Sequence, residues 1–268
     1  MNCPLLILSN YKNNMKKIDY KKLNIFIASD VVTPFYKKRI EKLKSIKLKD
    51  VIKRKNPYLF KAKNIQTAGD LVNDILNAFL SSQEETIFGD LLENLAININ
   101  HNVFGGKKAK EVKFRSVDLI FKRNKKIYIV GIKSGPNWGN SDQVNTMRKN
   151  LKEARRILRE EGKKLEIIGV NGCVYGRDNV PLKKHSSDNE LDYLKLCGQN
   201  FWELISGDKD LYKKLIKPLD KEVKKRDDLF KETYIKKINE MTKDLTELFY
   251  TKNELDWNKI IDYVSKSN

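Results

Sequence analysis

The segment from residue 116 to residue 143 restricts the possible folds of this chain more than any other. Its apolar stretches are separated by a polar turn at Lys122 to Lys126, which predicts two antiparallel strands. Asp118 begins the first strand, and the apolar run from Ile127 to Val130 leads to Lys133 at the end of the second. Antiparallel strands bring the start of one beside the end of the next, so Asp118 and Lys133 are expected to converge.

An acid and a lysine brought together in this way have the chemistry of phosphodiester hydrolysis. Side chains alternate between the faces of a strand, so Lys133 shares a face with Gly131 and Ile129. A metal held by Asp118 would lower the pKa of a water molecule, while Lys133 would hold that water or neutralise charge developing at phosphorus. The alternatives are a strand cap for Asp118 and a solvated strand end for Lys133.

The charge balance of the chain favours a polyanionic partner. Its 268 residues include 54 Lys and Arg against 35 Asp and Glu, and the net charge of +19 is spread along the sequence. Folded proteins this basic commonly bind nucleic acid or an anionic membrane surface. The membrane class is disfavoured because no apolar run approaches about 18 residues, and the longest, Pro4 to Leu8, lacks a signal peptide's basic flank. Three scattered cysteines imply no disulfide framework, and a cytoplasmic location is expected.

Hydrophobic periodicity predicts an α/β protein with a mixed central sheet, wrapped by helices and extended by helical N- and C-terminal additions. Three segments are expected: a helical N-terminal region at 1–66, a core at 67–198 and a helical C-terminal region, packed on the core, at 199–268. The N-terminal region contains a basic segment at 54–63 that is expected to be an ordered loop, because Asn-Pro opens turns. A long helical pattern begins at Thr67 and is expected to restart near Ser82.

A second helix and a further strand are predicted after the hairpin. Ser141 is the candidate N-cap of a helix with the apolar stripe Val144, Met147, Leu151, Ala154 and Leu158. Lys164 to Val170 is predicted to be a strand, and Asn171-Gly172 is expected to turn it into a short partner at Cys173 to Tyr175. Residues 177–192 are the candidate linker.

The order helix, hairpin, helix, strand resembles the core of the PD-(D/E)XK nuclease superfamily. Within roughly residues 40 to 265, five segments look like the PmeII-type family of type II restriction endonucleases: KNPYLFKAKN (55–64), EETIFGDLLENLA (84–96), IKSGPNWGNSDQ (132–143), VNGCVYGR (170–177) and CGQNFWELISGD (197–208). The resemblance implies a restriction-endonuclease-like fold and Mg²⁺-dependent cleavage of double-stranded DNA by a homodimer. It also implies a short palindromic target with a GGNCC core, and a cognate DNA methyltransferase that acts on that target without a stable complex.

One position departs from the superfamily pattern. The superfamily places Asp or Glu two residues before the lysine, where this chain has Gly131, so a second carboxylate must come from elsewhere. Glu85, Gly89 and Glu93 lie at i, i+4 and i+8 of a predicted helix and share a face. Because Gly89-x-x-x-Glu93 resembles the metal-binding helix of other superfamily members, Glu93 is favoured as the metal ligand beside Asp118. Glu85 is the alternative, and the small residue at 131 is expected to leave room for either.

Two segments have a composition that suits DNA contacts. The loop after Lys133 combines exposed backbone N–H groups with polar side chains and ends at a helix N-terminus; its candidates are Ser134, Asn137, Trp138, Asn140 and Ser141. The basic segment, with its interleaved aromatic residues, supplies Arg54, Lys55, Lys61 and Lys63. Arg115 is a candidate for reading a guanine, and Gln143 for holding a water or a phosphate. Trp138 equally suits a core anchor, and Gln143 a hydrogen bond at the helix N-terminus.

Other functions stay open at this level. The same site would suit another superfamily nuclease, such as a junction resolvase or a repair enzyme. A non-catalytic DNA-binding protein that has lost its centre at Gly131 is a further alternative, and assembly on RNA a more distant one. A zinc site built from Cys173, His185 and Cys197 fits no established spacing. Neither a hydrolase triad nor a Walker-type phosphate loop has its motif in this sequence.

Overall fold

In the computed structural model, the described residues are 16–109, 112–184, 187–220 and 223–267. The chain divides into a sheet unit, Met1–Ala28 with Gly89–Pro218, and a helical unit, Ser29–Phe88 with Leu219–Asn268. These bounds do not coincide with the boundaries expected at residues 66 and 198, and the roles expected of those three segments stay predictions. The apolar run at Pro4 to Leu8, Cys3 and the zinc candidate His185 lie outside the described residues.

The described helices are, in chain order, α1 (Tyr20–Phe26), α2 (Thr33–Ser45), α3 (Leu48–Ile52), α4 (Pro57–Ala62), α5 (Ala68–Phe104), α6 (Ser141–Glu160), α7 (Gln199–Ser206), α8 (Leu211–Lys214), α9 (Ile216–Asp220), α10 (Val223–Phe249) and α11 (Trp257–Ser265). Shorter helical turns are the π-helix Ile27–Val32 and the 3₁₀ turns Val112–Phe114 and Asn189–Leu191. In these ranges, no helix has both the length and the apolar content required to cross a bilayer.

The sheet unit contains a mixed six-stranded sheet, which confirms the predicted α/β class. Its strands are β1 (Lys107–Lys108), β2 (Leu119–Arg123), β3 (Lys126–Lys133), β4 (Glu166–Cys173), β5 (Val180–Lys183) and β6 (Tyr193–Cys197). Their order across the sheet is β1-β2-β3-β4-β6-β5. The hairpin β2–β3 is antiparallel, whereas β3, β4 and β6 run parallel to one another. Central parallel strands are buried on both faces, and helices of the same unit flank them.

The strand after the hairpin differs from its prediction. Asn171 and Gly172 continue β4 instead of turning it, because both residues pair with β3 on one side and β6 on the other. A Cβ atom at position 172 would lie 2.5 Å from the ring of Phe201, so this glycine admits the close packing of α7. The expected linker at 177–192 contains β5 and a 3₁₀ turn, and β6 was not predicted.

Helix α6 covers one face of the sheet through the predicted apolar stripe. Met147, Leu151, Ala154 and Leu158 are all buried and belong to one hydrophobic cluster with Ile129 of β3. The N-cap is Asn140 and not Ser141, which is the first helical residue. The Asn140 side chain accepts a hydrogen bond from the Gln143 N–H at 3.0 Å, and Gln143 Oε1 accepts one from the Asn140 N–H at 3.0 Å. This capping box fixes where the loop after β3 ends.

Helix α5 is one continuous helix of 37 residues and does not restart near Ser82. No proline or glycine pair interrupts the pattern there, and Leu80 and Ile87 are both buried on either side of that point. Its C-terminal part belongs to the sheet unit, where Leu95 and Ile99 are buried. Glu93 therefore lies on the part of α5 that belongs to the sheet unit.

The helical unit is formed mainly by α2, α4, α10 and α11. The basic segment at 54–63 is not a loop, because Asn56 caps α4 and Pro57 is its first residue. Proline is favoured at that position, where its missing N–H costs nothing. The C-terminal region is not helical throughout either. A short hairpin of β7 (Tyr250–Thr251) and β8 (Glu254–Leu255) separates α10 from α11, and its turn residues Lys252 and Asn253 have positive φ.

Candidate active site

Asp118 lies directly before β2 and is fixed by the neighbouring strand. Its backbone N–H donates to the carbonyl of Val130 at 2.8 Å, which continues the β2–β3 ladder. Its carboxylate oxygen Oδ2 accepts a hydrogen bond from the backbone N–H of Ile132 at 2.7 Å. The side chain thus lies across the end of β3, one residue before Lys133.

Lys133 is the last residue of β3 and is partly exposed. Its Nζ atom lies 5.2 Å from the centre of the Trp138 ring, a distance typical of a cation–π contact. Trp138 is itself packed against the hydrophobic core between the sheet and α6. The charge of Lys133 lowers the pKa of Asp118, so the two groups are close enough to interact. The hydrogen bond from Ile132 places the Asp118 carboxylate at the end of β3 beside this lysine, and the catalytic roles of both residues stay predictions.

The missing acid at position 131 has a steric explanation. A Cβ atom on Gly131 would lie 2.7 Å from the carbonyl oxygen of Ser116, which is closer than real Cβ atoms approach. Ser116 has a φ of 58°, a conformation that turns its backbone toward β3. Asn150 of α6 stabilises this position by donating to Ser116 Oγ at 2.7 Å. The space beside Gly131 is thus filled by backbone, and the expectation that it leaves room for a distant carboxylate is wrong.

Glu93 of α5 is the second carboxylate near Asp118. Its charge raises the pKa of Asp118, and Lys108 of β1 donates from Nζ to its Oε1 atom at 3.0 Å. Gly89, one turn earlier on α5, brings the helix close to the end of β3, since a Cβ atom there would lie 2.6 Å from Ser134 Oγ.

Glu85, the alternative acid, belongs to the helical unit. It lines a cavity of about 590 Å³ whose other residues include Arg39, Asn73, Phe88, Phe230 and Tyr234. Its proximity to Asp118 stays a prediction.

Burial and neighbouring charges of both signs act on the pKa of Asp118. Burial has the largest effect and raises the pKa of this carboxyl above its ordinary value of 3.8, and Glu93 raises it further. The hydrogen bond from Ile132 and the charges of Lys133 and Lys108 act in the opposite direction. A desolvated carboxylate beside a second carboxylate gains most from a nearby cation.

Two carboxylates form a donor set that is compatible with Mg²⁺. Within the described ranges, no group of three or more His, Cys, Asp or Glu side chains is arranged to hold a metal ion. Asp118 and Glu93 provide two hard carboxylates. Mg²⁺ commonly binds one or two carboxylates and completes its shell with water and substrate phosphates.

The family comparison identifies the class of protein to which this chain belongs. The family model of type II restriction endonuclease EcoO109I matches residues 21–227, which is more than half of the chain. The chain belongs to the EcoO109I family of type II restriction endonucleases. The comparison with curated proteins finds no match. Membership confirms the coarser prediction of a restriction endonuclease, whereas the narrower PmeII-type branch stays a prediction.

The loop after Lys133 is held by packing and by the capping box in this member of the EcoO109I family. A Cβ atom on Gly135 would lie 2.6 Å from the ring of Tyr175, so the loop backbone lies directly against that ring. Asn137, Asn140, Ser141 and Gln143 are exposed, and Ser134 is partly exposed. Asn140 and Gln143 form the capping box of α6, which is a structural role. Contact of these two residues with DNA stays a prediction.

The basic segment lies in the helical unit, and its four cations differ in their surroundings. Arg54 is exposed and Lys55 is partly exposed. Lys61 Nζ lies 5.4 Å from the ring centre of Trp257, and Lys63 forms an ion pair with Asp74 at 2.9 Å. Phe60 is buried, whereas the neighbouring Tyr58 and Leu59 are exposed. In the sheet unit, Arg115 is exposed in the turn before Asp118.

Three residues of the site escaped prediction from the sequence. Lys108 lies in a two-residue strand, which is too short to produce an alternating pattern. Ser116 and Asn150 are polar residues whose roles depend on a contact between segments that are distant in sequence. The signal for this contact is Gly131 itself, because glycine inside a strand often marks the close approach of another backbone segment.

The zinc alternative includes two described cysteines, and both are deep in the sheet unit. Cys173 and Cys197 are both buried with free thiols. Burial, with a smaller contribution from Cys197, raises the pKa of the Cys173 thiol to about 12. Because the third candidate ligand, His185, lies outside the described residues, the zinc alternative stays a prediction.

Proposed function

We propose that this chain is a Mg²⁺-dependent type II restriction endonuclease that cuts both strands of DNA at a short palindromic site. The observation that carries the proposal is the fixed Asp118 carboxylate, desolvated and flanked by Glu93 and Lys133 at the end of β3. Asp118 and Glu93 would hold the metal, and Lys133 would assist attack on the phosphate. A target with a GGNCC core, expected from the PmeII-type resemblance, belongs to the same proposal.

Each residue has a distinct task in this mechanism. Mg²⁺ bound at the two carboxylates would supply Lewis-acid stabilisation of the phosphate and lower the pKa of a water molecule. The Ile132 N–H fixes one oxygen of Asp118, so the other oxygen keeps a constant direction. Lys133, supported by the Trp138 ring, provides a positive charge where negative charge accumulates at phosphorus. Arg115, the loop at 134–141 and the cations of the basic segment would position the DNA.

A palindromic target requires two related active centres. A homodimer with two-fold symmetry would place one centre on each strand, and the two half-sites would mirror its symmetry. A methyltransferase that modifies the same sequence would protect host DNA without a stable complex. The net charge of +19 supports binding to a duplex, because cations that neutralise phosphates release bound counterions.

The decisive experiment is a digest of plasmid and phage DNA with the purified protein and Mg²⁺, followed by sequencing of the ends. Discrete fragments with a common end sequence, abolished by EDTA and by Lys133→Ala, would establish the proposed activity. Cleavage restricted to branched DNA would indicate a junction resolvase instead. Binding to duplex without any cleavage would indicate a non-catalytic DNA-binding protein. Analytical ultracentrifugation with and without DNA tests the dimer separately.

A further inference from the structure

Lys108 is a cation that already binds one carboxylate of the proposed metal site. Its Nζ atom donates to Glu93 Oε1 at 3.0 Å and to Asn94 Oδ1 at 3.3 Å. Its charge also lowers the pKa of Asp118, so it acts on both proposed metal ligands. Lys108 follows directly after the exposed Lys107 in β1, at the edge of the sheet where β1 pairs with β2.

The charges around the site balance without a metal ion. Asp118 and Glu93 carry two negative charges, and Lys133 and Lys108 carry two positive ones. Adding a divalent cation while Lys108 stays on Glu93 would place like charges side by side and remove a carboxylate oxygen from the metal. The ammonium and the metal therefore compete for Glu93.

The ion pair between Lys108 and Glu93 can open so that another cation takes the place of the ammonium. The side chain of Lys108 is 41% exposed and that of Glu93 is 24% exposed. Partly exposed pairs of this kind contribute little net free energy, because water solvates the separated charges well. A lysine side chain is long and flexible, so its ammonium can leave the carboxylate without movement of the strand.

We infer that Lys108 is the counter-ion of Glu93 in the free enzyme and yields that carboxylate to the metal when DNA binds. The inference rests on the proposed function, because it takes Asp118 and Glu93 as the metal ligands. A DNA phosphate offers the released ammonium a new partner, so DNA and the metal each favour binding of the other. The free enzyme then holds Mg²⁺ weakly, and the metal site is completed only on a substrate.

Metal titrations without DNA test the first half of this inference. Calorimetric titration with Mg²⁺ would compare the wild type with Lys108→Gln, and with Lys107→Gln as the matched control in the same strand. Lys108→Gln is expected to bind Mg²⁺ about fivefold more tightly, the scale of removing one partly exposed ion pair. Lys107→Gln is expected to bind like the wild type. Lys108→Met keeps the apolar stem and provides a second neutral variant should the glutamine variant misfold.

A second titration tests whether DNA and the metal favour each other's binding. With Ca²⁺ as the probe and a short duplex present, metal affinity should rise by a larger factor in the wild type than in Lys108→Gln. Equal or weaker metal affinity of both neutral variants, measured without DNA on folded protein, would overturn the inference. So would an equal DNA effect in wild type and variant. Failure of the proposed function is distinguishable, because it would appear as absent cleavage by the wild type in the plasmid digest.

Discussion

The carbonyl oxygen of Ser116 lies 2.7 Å from the position that a Cβ atom on Gly131 would take. Gly131 stands two residues before Lys133, where the PD-(D/E)XK pattern that this sequence resembles has its second acid. A backbone atom and a side chain cannot occupy the same volume, so the glycine and the positive φ of Ser116 belong together. The backbone of Ser116 therefore occupies the space that the side chain of that acid would need. A helix-borne carboxylate is the alternative source of a second ligand.

Gly131→Ala is expected to destabilise the protein by about 1–3 kcal/mol, because the added methyl group meets a backbone carbonyl that has little freedom to move. Gly69→Ala is the matched control, since a Cβ atom at that helical position has its nearest neighbour 4.0 Å away. That control should be neutral or stabilising by roughly 0.5–1 kcal/mol. Urea unfolding of both variants measures the difference.

Gly131→Glu extends the same argument to function. It restores the acid of the superfamily pattern, yet it should lower the free energy of unfolding and should not increase cleavage. A stable and more active Gly131→Glu variant would show that Ser116 can withdraw, and the steric explanation would be wrong.

Asp118→Asn is expected to stabilise the fold at neutral pH. The folded state raises the pKa of Asp118 above 3.8, so the folded protein holds this proton more tightly than the unfolded chain does. The contribution of this carboxyl to stability therefore falls as pH rises from 3.8 through the raised value, and the cost persists above it. Asparagine carries no charge to desolvate and its Oδ1 still accepts the hydrogen bond from Ile132.

Urea unfolding across this pH interval measures that effect. The advantage of Asp118→Asn should shrink as the pH falls below the raised value, while cleavage is lost at every pH. Mg²⁺ should raise the melting temperature of the wild type more than that of the variant. A variant that is less stable than the wild type at neutral pH would contradict the assignment of a desolvated, charged carboxylate.

The sequence predicted those features that depend on local pattern. Asp118 and Lys133 both lie at the end of β3, because strand alternation and a short turn determine both positions. The pair Asn171-Gly172 predicts a turn, and this prediction is wrong because the reason for that glycine is Phe201, a residue much later in the chain. Asn56-Pro57 was likewise read as a loop, although the pair equally suits the N-cap and first residue of a helix. Tertiary contacts decided both cases.

Lys133→Ala is expected to lower the cleavage rate by roughly 10²–10⁴-fold while leaving DNA affinity in Ca²⁺ nearly unchanged, since a catalytic cation acts mainly in the transition state. Lys126→Ala is the control, because this lysine begins the same strand and pairs with Glu166 at 2.9 Å. Single-turnover kinetics on a plasmid with one target site would separate chemistry from binding. A comparable loss of rate in both variants would remove the special role of Lys133.

Glu93→Ala and Glu85→Ala decide between the two helix acids. Glu93 interacts electrostatically with Asp118, so its loss should weaken metal binding and reduce cleavage on the order of a hundredfold. Glu85 lines a cavity of the helical unit, and its loss is expected to leave the metal affinity unchanged. Normal cutting by both variants would exclude a helix carboxylate as the second ligand.

Asn140→Ala and Gln143→Ala separate helix capping from DNA contact. Each change breaks one half of the capping box, and loss of an N-cap costs typically about 1 kcal/mol. A double-mutant cycle in unfolding should show coupling between the two residues, because each side chain bonds the backbone of the other. If the pair also contacts phosphates, the same variants will lose DNA affinity in Ca²⁺ by more than their stability explains.

The salt dependence of DNA binding tests the basic segment. Each phosphate contact contributes about 0.9 to the slope of log affinity against log salt concentration for B-DNA. Arg54 is exposed, so Arg54→Ala should reduce the slope by about that amount. Lys63 is engaged by Asp74 at 2.9 Å and must leave that partner to reach a phosphate, so Lys63→Ala should reduce it less. Fluorescence anisotropy in Ca²⁺ over a range of salt concentrations gives both slopes, and equal slopes in Arg54→Ala and the wild type would exclude Arg54 as a phosphate contact.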